Sequence, residues 1–160
     1  MLDYETLDII ADTYIPALAI LSIVYLSRSI VSRNWAYVGL QMLFLVYAFT
    51  LAYGLMFIDN RFALWPTFGL DYSTHTAVAM VLVVFLGLRI KSAWAFCLGS
   101  LVGYALLMLY QDYHSISDII TTALALCIFL LPVVFLFISK CSETGQQNNV
   151  APKAKGVRYR

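Results

Sequence analysis

The chain has 160 residues, of which 62% are hydrophobic and only 12% are charged. Soluble globular domains are about half apolar and about a quarter charged, so this composition excludes an ordinary soluble domain. Ten basic and nine acidic side chains leave a formal net charge of +1, which gives no indication of a nucleic-acid partner. The length suits a single domain, and the composition predicts an integral membrane protein.

Five apolar segments come close to the roughly 20 residues that a transmembrane helix needs. Their apolar residues run continuously and do not alternate with polar ones, which favours helices over the strands of a membrane barrel. We therefore predict an all-α fold, a polytopic transmembrane helical bundle of about five spans within residues 1–140. The predicted spans are Tyr14–Ile30, Trp35–Ile58, Ser73–Ile90, Ala93–Tyr110 and Ile116–Ile138.

Basic and acidic residues are predicted to lie on opposite sides of the membrane. Nine of the ten bases fall in the turns after the first and third spans or in the C-terminal tail, whereas eight of the nine acids fall on the other side together with Arg61. By the positive-inside rule, the N-terminus is then outside and the C-terminus is in the cytoplasm. This arrangement fits a bacterial inner membrane. The polar, basic tail of residues 141–160 is predicted to be cytoplasmic and disordered.

Both histidines fall on the predicted outer side, and each lies near the start of a span. His75 belongs to a polar cluster of residues 71–76, and His114 belongs to a second cluster of residues 110–118. The start of a helix offers unpaired backbone N–H groups and the positive end of the helix dipole, which together favour an anion. Ser73 is a natural N-cap, and Ser115-x-x-Asp118 has the spacing of a capping box. Capping explains the serines, but it does not explain the histidines.

The spacing of His114 and Asp118 indicates acid–base or nucleophilic chemistry. Residues four apart share one face of a helix, so the carboxylate can hold an imidazole N–H and make the other ring nitrogen a better nucleophile. His75 could then protonate a leaving oxygen, because the ordinary pKa of histidine is roughly 6.5. Simple headgroup contacts, a zinc site that includes both histidines, and haem ligation are alternatives. We expect neither a metal ion nor another cofactor, since no tight ligand motif is present.

Residues 72–76 and the pattern His114-x-x-x-Asp118 resemble the second and third motifs of the type-2 phosphatidic acid phosphatase superfamily. Sphingomyelin-synthase-like lipid phosphotransferases belong to the same broad group. The resemblance covers residues 57–125 and implies a lipid phosphatase or headgroup phosphotransferase with a site facing the exterior. It implies that His114 is the nucleophile, Asp118 its orienting partner, His75 the general acid and Ser73 a phosphate contact.

The charges around the two motifs bear on the lipid substrate. The family's arginine before the nucleophilic histidine is replaced by Met108, and Arg61 is the only base on this side. Because a phosphomonoester usually needs several cationic groups, these charges favour a phosphodiester or zwitterionic headgroup. An aspartate with nearby tyrosines could receive the cation of such a headgroup. The predicted substrate-binding residues are Ser73, Thr74, Arg61, Asp71, Asp112 and Tyr113.

The missing basic residues also support a second hypothesis from another class. A degenerate relative could keep the scaffold without turnover and bind a lipid or a partner membrane protein, or form a homo-oligomer. A small transporter or channel subunit is a third hypothesis, which the lack of charges within the spans disfavours. Gly99-x-x-x-Gly103 has the spacing that lets two helices pack closely, and we expect it to serve packing.

Overall fold

The computed structural model describes the backbone of residues 4–150 and the side chains of residues 5–90 and 92–141. Within that part of the chain the secondary structure is entirely helical, with two short 3-10 turns at Pro66–Phe68 and Lys91–Ala93. The α-helices are α1 (Tyr4–Val31), α2 (Trp35–Phe62), α3 (Thr74–Arg89), α4 (Trp94–Tyr110) and α5 (Ile116–Val150). The predicted all-α helical bundle is therefore confirmed.

The predicted spans agree closely with the helices, and most differences lie at helix ends. The third and fourth spans match α3 and α4 to within one residue at either end, whereas α1 begins ten residues before the predicted first span. Among the described residues, three helical segments are long and apolar enough to cross a membrane: Glu5–Val31, Trp35–Phe62 and Ile116–Cys141. Helix α5 continues through residues 141–150, past the predicted end of the fifth span, and the cytoplasmic, disordered tail stays a prediction. Residues 151–160 lie outside the described residues.

Helix α3 lies at the centre of the bundle and contacts each of the other four helices. Between Thr76 and Gly87 its side chains are buried on every side, apart from the half-buried Met80 and Val84. A helix of 16 residues is about 24 Å long, which is short for a lipid-facing span. The surrounding helices present the large apolar side chains outward, among them Ile20, Phe57, Phe96 and Phe135. Neighbouring helices, and not lipid, therefore form most of the surroundings of α3.

The chain connections divide the bundle into two ends of different character. The loops 63–73 and 111–115 lie at one end, which we call the acidic end because it carries Asp8, Asp12, Asp59, Asp71, Asp112 and Asp118. The short turns 32–34 and 90–93 lie at the opposite end. We call this the basic end because it carries Arg28, Arg33, Arg89 and Lys140.

The α3–α4 hairpin requires a glycine at position 87. A Cβ atom on Gly87 would lie 1.8 Å from Cε3 of Trp94, at the first residue of α4. The glycines of the predicted packing motif behave differently, because a Cβ on Gly99 or on Gly103 would meet no atom within 4 Å. The expectation that this motif packs helices together is therefore wrong within the described chain.

We predict that Gly87→Ala destabilises the bundle by about 1–3 kcal/mol, because the added methyl group forces the Trp94 ring out of its site. Gly99→Ala is the matched control in the neighbouring helix. It should leave stability unchanged or raise it slightly, since alanine is the better helix former. Thermal unfolding of the detergent-solubilised full chain measures both. Equal midpoints for the two variants would contradict this account of the hairpin.

Candidate functional site

The carboxylate of Asp118 ties together the two loops at the acidic end. Its Oδ1 accepts a hydrogen bond from the backbone N–H of Asp71 at 2.8 Å, and its Oδ2 accepts one from the backbone N–H of Ser115 at 2.8 Å. The backbone N–H of Asp118 donates in return to Oγ of Ser115 at 3.2 Å. This reciprocal pair is the capping box that the sequence predicts. Asp118 is only 7% exposed, so both bonds are shielded from solvent.

Two threonines one turn further along α5 extend this connection. The backbone N–H of Ser73 donates to Oγ1 of Thr122 at 3.0 Å, and Nε1 of Trp65 donates to Oγ1 of Thr121 at 3.0 Å. The backbone N–H of Trp65 donates to the buried carboxylate of Asp59 at 2.8 Å. The loop 63–73 is therefore held against the first turns of α5 and the last turn of α2. Sequence reasoning did not identify this role of the threonines, although their spacing from Asp118 places them near its face of α5.

Ser73 caps α3, as the sequence predicts. Its Oγ accepts from the backbone N–H of Thr76 at 3.3 Å and lies 2.8 Å from the Thr76 hydroxyl. Ser73 is 0% exposed, so a phosphate could reach it only if this cap opened. Beside it, the Tyr72 hydroxyl donates to the carbonyl of Ala52 at 2.8 Å. Burial, with a further contribution from the Asp59 carboxylate, raises the pKa of Tyr72 to about 12, so this hydroxyl remains a proton donor.

The half-buried His114 lies in the loop 111–115, in electrostatic range of three other predicted site residues. Burial lowers the pKa of His114 below its ordinary value, the Asp118 carboxylate opposes this, His75 lowers the pKa further, and Asp71 raises it. The net effect favours a neutral imidazole, the form that can act as a nucleophile. The structure thus brings His75, His114, Asp71 and Asp118 into one region of the acidic end.

The relation between His114 and Asp118 differs from the sequence prediction. Within the described side chains no hydrogen bond joins the imidazole to the carboxylate, whose oxygens accept the backbone N–H groups of Asp71 and Ser115. His114 precedes Ser115, the cap of α5, so it lies outside the helix in which a spacing of four residues would place both side chains on one face. Asp118 acts on His114 through its charge and through the backbone of Ser115, the next residue. Its position is that of a structural anchor beneath the histidine.

His75 is exposed on the other side of this region and lines a cleft of about 210 Å³ between α1, α3 and α4. The cleft contains one carboxylate, from Asp12, together with the phenol rings of two tyrosines; its lining residues are Ala11, Asp12, His75, Tyr104, Met108 and Tyr113. The hydroxyl of Tyr113 donates to Oδ1 of Asp8 at 2.5 Å, which links the loop 111–115 to α1. The sequence analysis did not predict that α1 contributes side chains to this region, although the spacing of Asp8 and Asp12 places them on one helix face.

The remaining predicted substrate-binding residues do not line the cleft. Arg61 is exposed, with its guanidinium 5.8 Å from the centre of the Phe62 ring. Asp112 is exposed and has a φ of 57°, so it forms the left-handed turn of its loop. Thr74 is the half-buried first residue of α3. Among the described residues no group of three or more histidine, cysteine, aspartate or glutamate side chains could hold a metal ion.

Comparisons of the chain with protein-family models, with curated proteins and with solved structures give no match. The similarity to the phosphatase superfamily therefore rests on the motif residues alone.

We predict that Asp118→Asn destabilises the chain by about 1–3 kcal/mol. An amide keeps a single acceptor oxygen and turns an N–H₂ group towards one of the two backbone donors, which is left unpaired. Asp112→Asn is the matched control: it removes an exposed carboxylate from the adjacent loop, and asparagine tolerates the left-handed conformation. Thermal unfolding of both variants tests the prediction. A midpoint for Asp118→Asn equal to that of Asp112→Asn would show that the carboxylate does not hold the loops.

Proposed function

We propose that this protein is an integral membrane lipid phosphatase or headgroup phosphotransferase that acts at its acidic end through a phosphohistidine on His114. The observation that carries the proposal is the meeting of two histidines from separate helix starts, in electrostatic range of each other and of two carboxylates. Neither helix capping nor packing requires these histidines. The motif resemblance supplies the reaction class, and the electrostatics of His114 are compatible with it.

In the first half-reaction the neutral imidazole of His114 attacks the phosphorus of the headgroup. A nitrogen–phosphorus bond forms as the bond from phosphorus to the leaving oxygen breaks. The protonated imidazole of His75 gives its proton to that leaving oxygen. His75 suits this role because it faces the cleft, where a leaving group can be accommodated.

In the second half-reaction an oxygen nucleophile releases the phosphoryl group from His114. Water serves in a phosphatase, and the hydroxyl of a second lipid serves in a phosphotransferase. As the new oxygen–phosphorus bond forms, the nitrogen–phosphorus bond breaks and the proton of the attacking hydroxyl passes to His75. Both histidines then return to their starting protonation states.

Asp118 is a positioning residue in this scheme. Its hydrogen bonds to the backbone of Asp71 and Ser115 fix the two segments from which His75 and His114 project. Its negative charge also favours the cationic imidazole that exists while the phosphoryl group is attached. The carboxylate thus supports His114 without a direct hydrogen bond to the ring.

The charges at the acidic end favour a phosphodiester or zwitterionic headgroup. Arg61 is the one basic side chain described there, while Asp12 lines the cleft beside His75 and Tyr113. The Asp12 carboxylate next to the exposed ring of Tyr113 suits an ammonium or quaternary ammonium group. The distribution of bases supports an acidic end outside the cytoplasm, at the periplasmic or outer face of a plasma membrane.

A second candidate function is a non-catalytic subunit that binds a lipid headgroup or a partner membrane protein. Two observations on the described residues favour it: no hydrogen bond from Asp118 orients the imidazole of His114, and Arg61 is the one basic side chain described at the acidic end. This candidate keeps the binding properties of the acidic end but predicts no covalent intermediate.

We predict that His114→Ala abolishes headgroup release from lipid phosphodiesters, with a loss of at least about 10³-fold, because no other nucleophile replaces the imidazole. Ser117→Ala is the control, an exposed side chain in the first turn of α5, three residues after His114. Purified protein is incubated with ³²P-headgroup lipids and digested to locate an acid-labile, base-stable label. Two results together support the enzyme hypothesis: the label is found on His114, and His75→Ala slows the formation of that label. Equal negligible turnover and no label in wild type and His114→Ala would favour the binding subunit.

We predict that the acid limb of the kcat/KM profile lies below the pH expected for an ordinary histidine. Burial lowers the pKa of His114, so the reactive neutral imidazole persists as the pH falls and is lost only below that lowered pKa. Asp71→Asn removes a carboxylate that raises the pKa of His114, and should move the limb to still lower pH. A limb above the ordinary histidine value, or a shift to higher pH in Asp71→Asn, would contradict the assignment.

A further inference from the structure

A polar network lies at the basic end, at the opposite end of the bundle from the histidines. Arg89, the last residue of α3, is half-buried and donates from Nη1 to the Tyr37 hydroxyl and from Nη2 to Oγ of Ser29, the latter at 3.1 Å. The guanidinium also lies 4.8 Å from the centre of the Tyr37 ring. One side chain therefore joins α1, α2 and α3.

The positive charge of Arg89 has no acidic partner among the described side chains. The carboxylates of the described side chains are all at the acidic end or in the first turn of α1. The hydrogen-bond partners of Arg89 are two neutral hydroxyls. Within the described part of the chain its Nε is buried without a hydrogen-bond partner. A cation that is partly removed from water is costly unless oxygen acceptors surround its N–H groups, and the two described acceptors of this guanidinium are neutral hydroxyls, so the site is suited to an anion.

Gln41 is a second, independent indication of a missing partner. It is 0% exposed, and its Nε2 donates to Oγ of Ser29 at 3.1 Å. Its Oε1 is buried and has no hydrogen-bond partner among the described residues. Because Gln41 and Arg89 bond to the same Ser29 oxygen, an open acceptor and an open donor lie close together. A ligand that satisfies both offers anionic oxygens to the guanidinium and a hydroxyl to the amide.

We propose that Arg89, Ser29 and Gln41 form a binding site for an anionic phosphodiester lipid whose headgroup carries a hydroxyl group. The phosphate accepts hydrogen bonds from the guanidinium, which has five N–H donors and uses two of them within the network. The headgroup hydroxyl donates to Oε1 of Gln41. This site is separate from the proposed catalytic region and serves lipid attachment at the basic end.

The full chain in neutral detergent is titrated with dioleoylphosphatidylglycerol, and binding is followed by the shift of its thermal midpoint. We expect wild type to bind this lipid in preference to dioleoylphosphatidylcholine, and Arg89→Gln to weaken binding by at least about tenfold. Arg28→Gln, which removes an exposed positive charge from the same end, should bind like wild type. His114→Ala should also bind like wild type, which separates this site from the acidic end.

Further lipids and variants define the chemistry. Phosphatidate, which lacks the headgroup hydroxyl, should bind more weakly than phosphatidylglycerol, and Gln41→Leu should remove this difference. Soluble glycerol phosphate at millimolar concentration distinguishes the two sources of phosphate: a shift of the thermal midpoint indicates a free phosphate ligand, and no shift indicates a lipid. If Arg89→Gln does not fold, Arg89→Lys and the lipid preference of the wild type test the proposal instead. Lysine keeps the positive charge but loses the planar, forked donor geometry of arginine. Equal binding of the zwitterionic and anionic lipids by wild type, or equal binding by Arg89→Gln and Arg28→Gln, would overturn the proposal and leave a buried water as the partner.

Discussion

The arrangement of the acidic end depends on one buried carboxylate. Asp118 accepts the backbone N–H of Ser115 within its own helix start and the backbone N–H of Asp71 from the loop before α3. A carboxylate is suited to this task because it offers two strong acceptors, and each charge-assisted bond is about twice as strong as a neutral one. The segments that carry His75 and His114 are far apart in sequence, and these two bonds, with those of Thr121 and Thr122, hold them together.

The central helix α3 fixes the position of one end of the bundle relative to the other. Because α3 is buried by the other four helices, its first turn and its last residue are fixed relative to one another. His75 projects at the acidic end, and Arg89 forms the polar network at the basic end. The chain thus combines a proposed catalytic region and a proposed lipid site on a single rigid element, and neither site occurs in the apolar interior.

The apolar runs predicted the helices well, because continuous hydrophobic segments have few other structures open to them in lipid. The caps at Ser73 and Ser115 were also predictable, since they depend on residues three apart. Sequence spacing did not predict the hydrogen-bond partners of Asp118, because the bond to Asp71 joins segments that meet only after the bundle has formed. The spacing of His114 and Asp118 suggested a direct bond on one helix face, but α5 begins at Ile116, so His114 lies in the preceding loop and does not share that face. The network around Arg89 corresponds to no local sequence pattern, because its residues come from three different helices.

In the proposed mechanism, the acidic end presents His75 and His114 to one phosphoryl group above the Asp118 anchor. A crystal structure of the full chain in lipid with orthovanadate, a mimic of the transferring phosphoryl group, tests it most directly. We expect vanadate bonded to the imidazole of His114, with His75 within hydrogen-bond distance and Asp118 still accepting from the backbone N–H groups of Asp71 and Ser115. A structure with the same bundle in which vanadate binds elsewhere, or in which the two histidines face different surfaces, would contradict it.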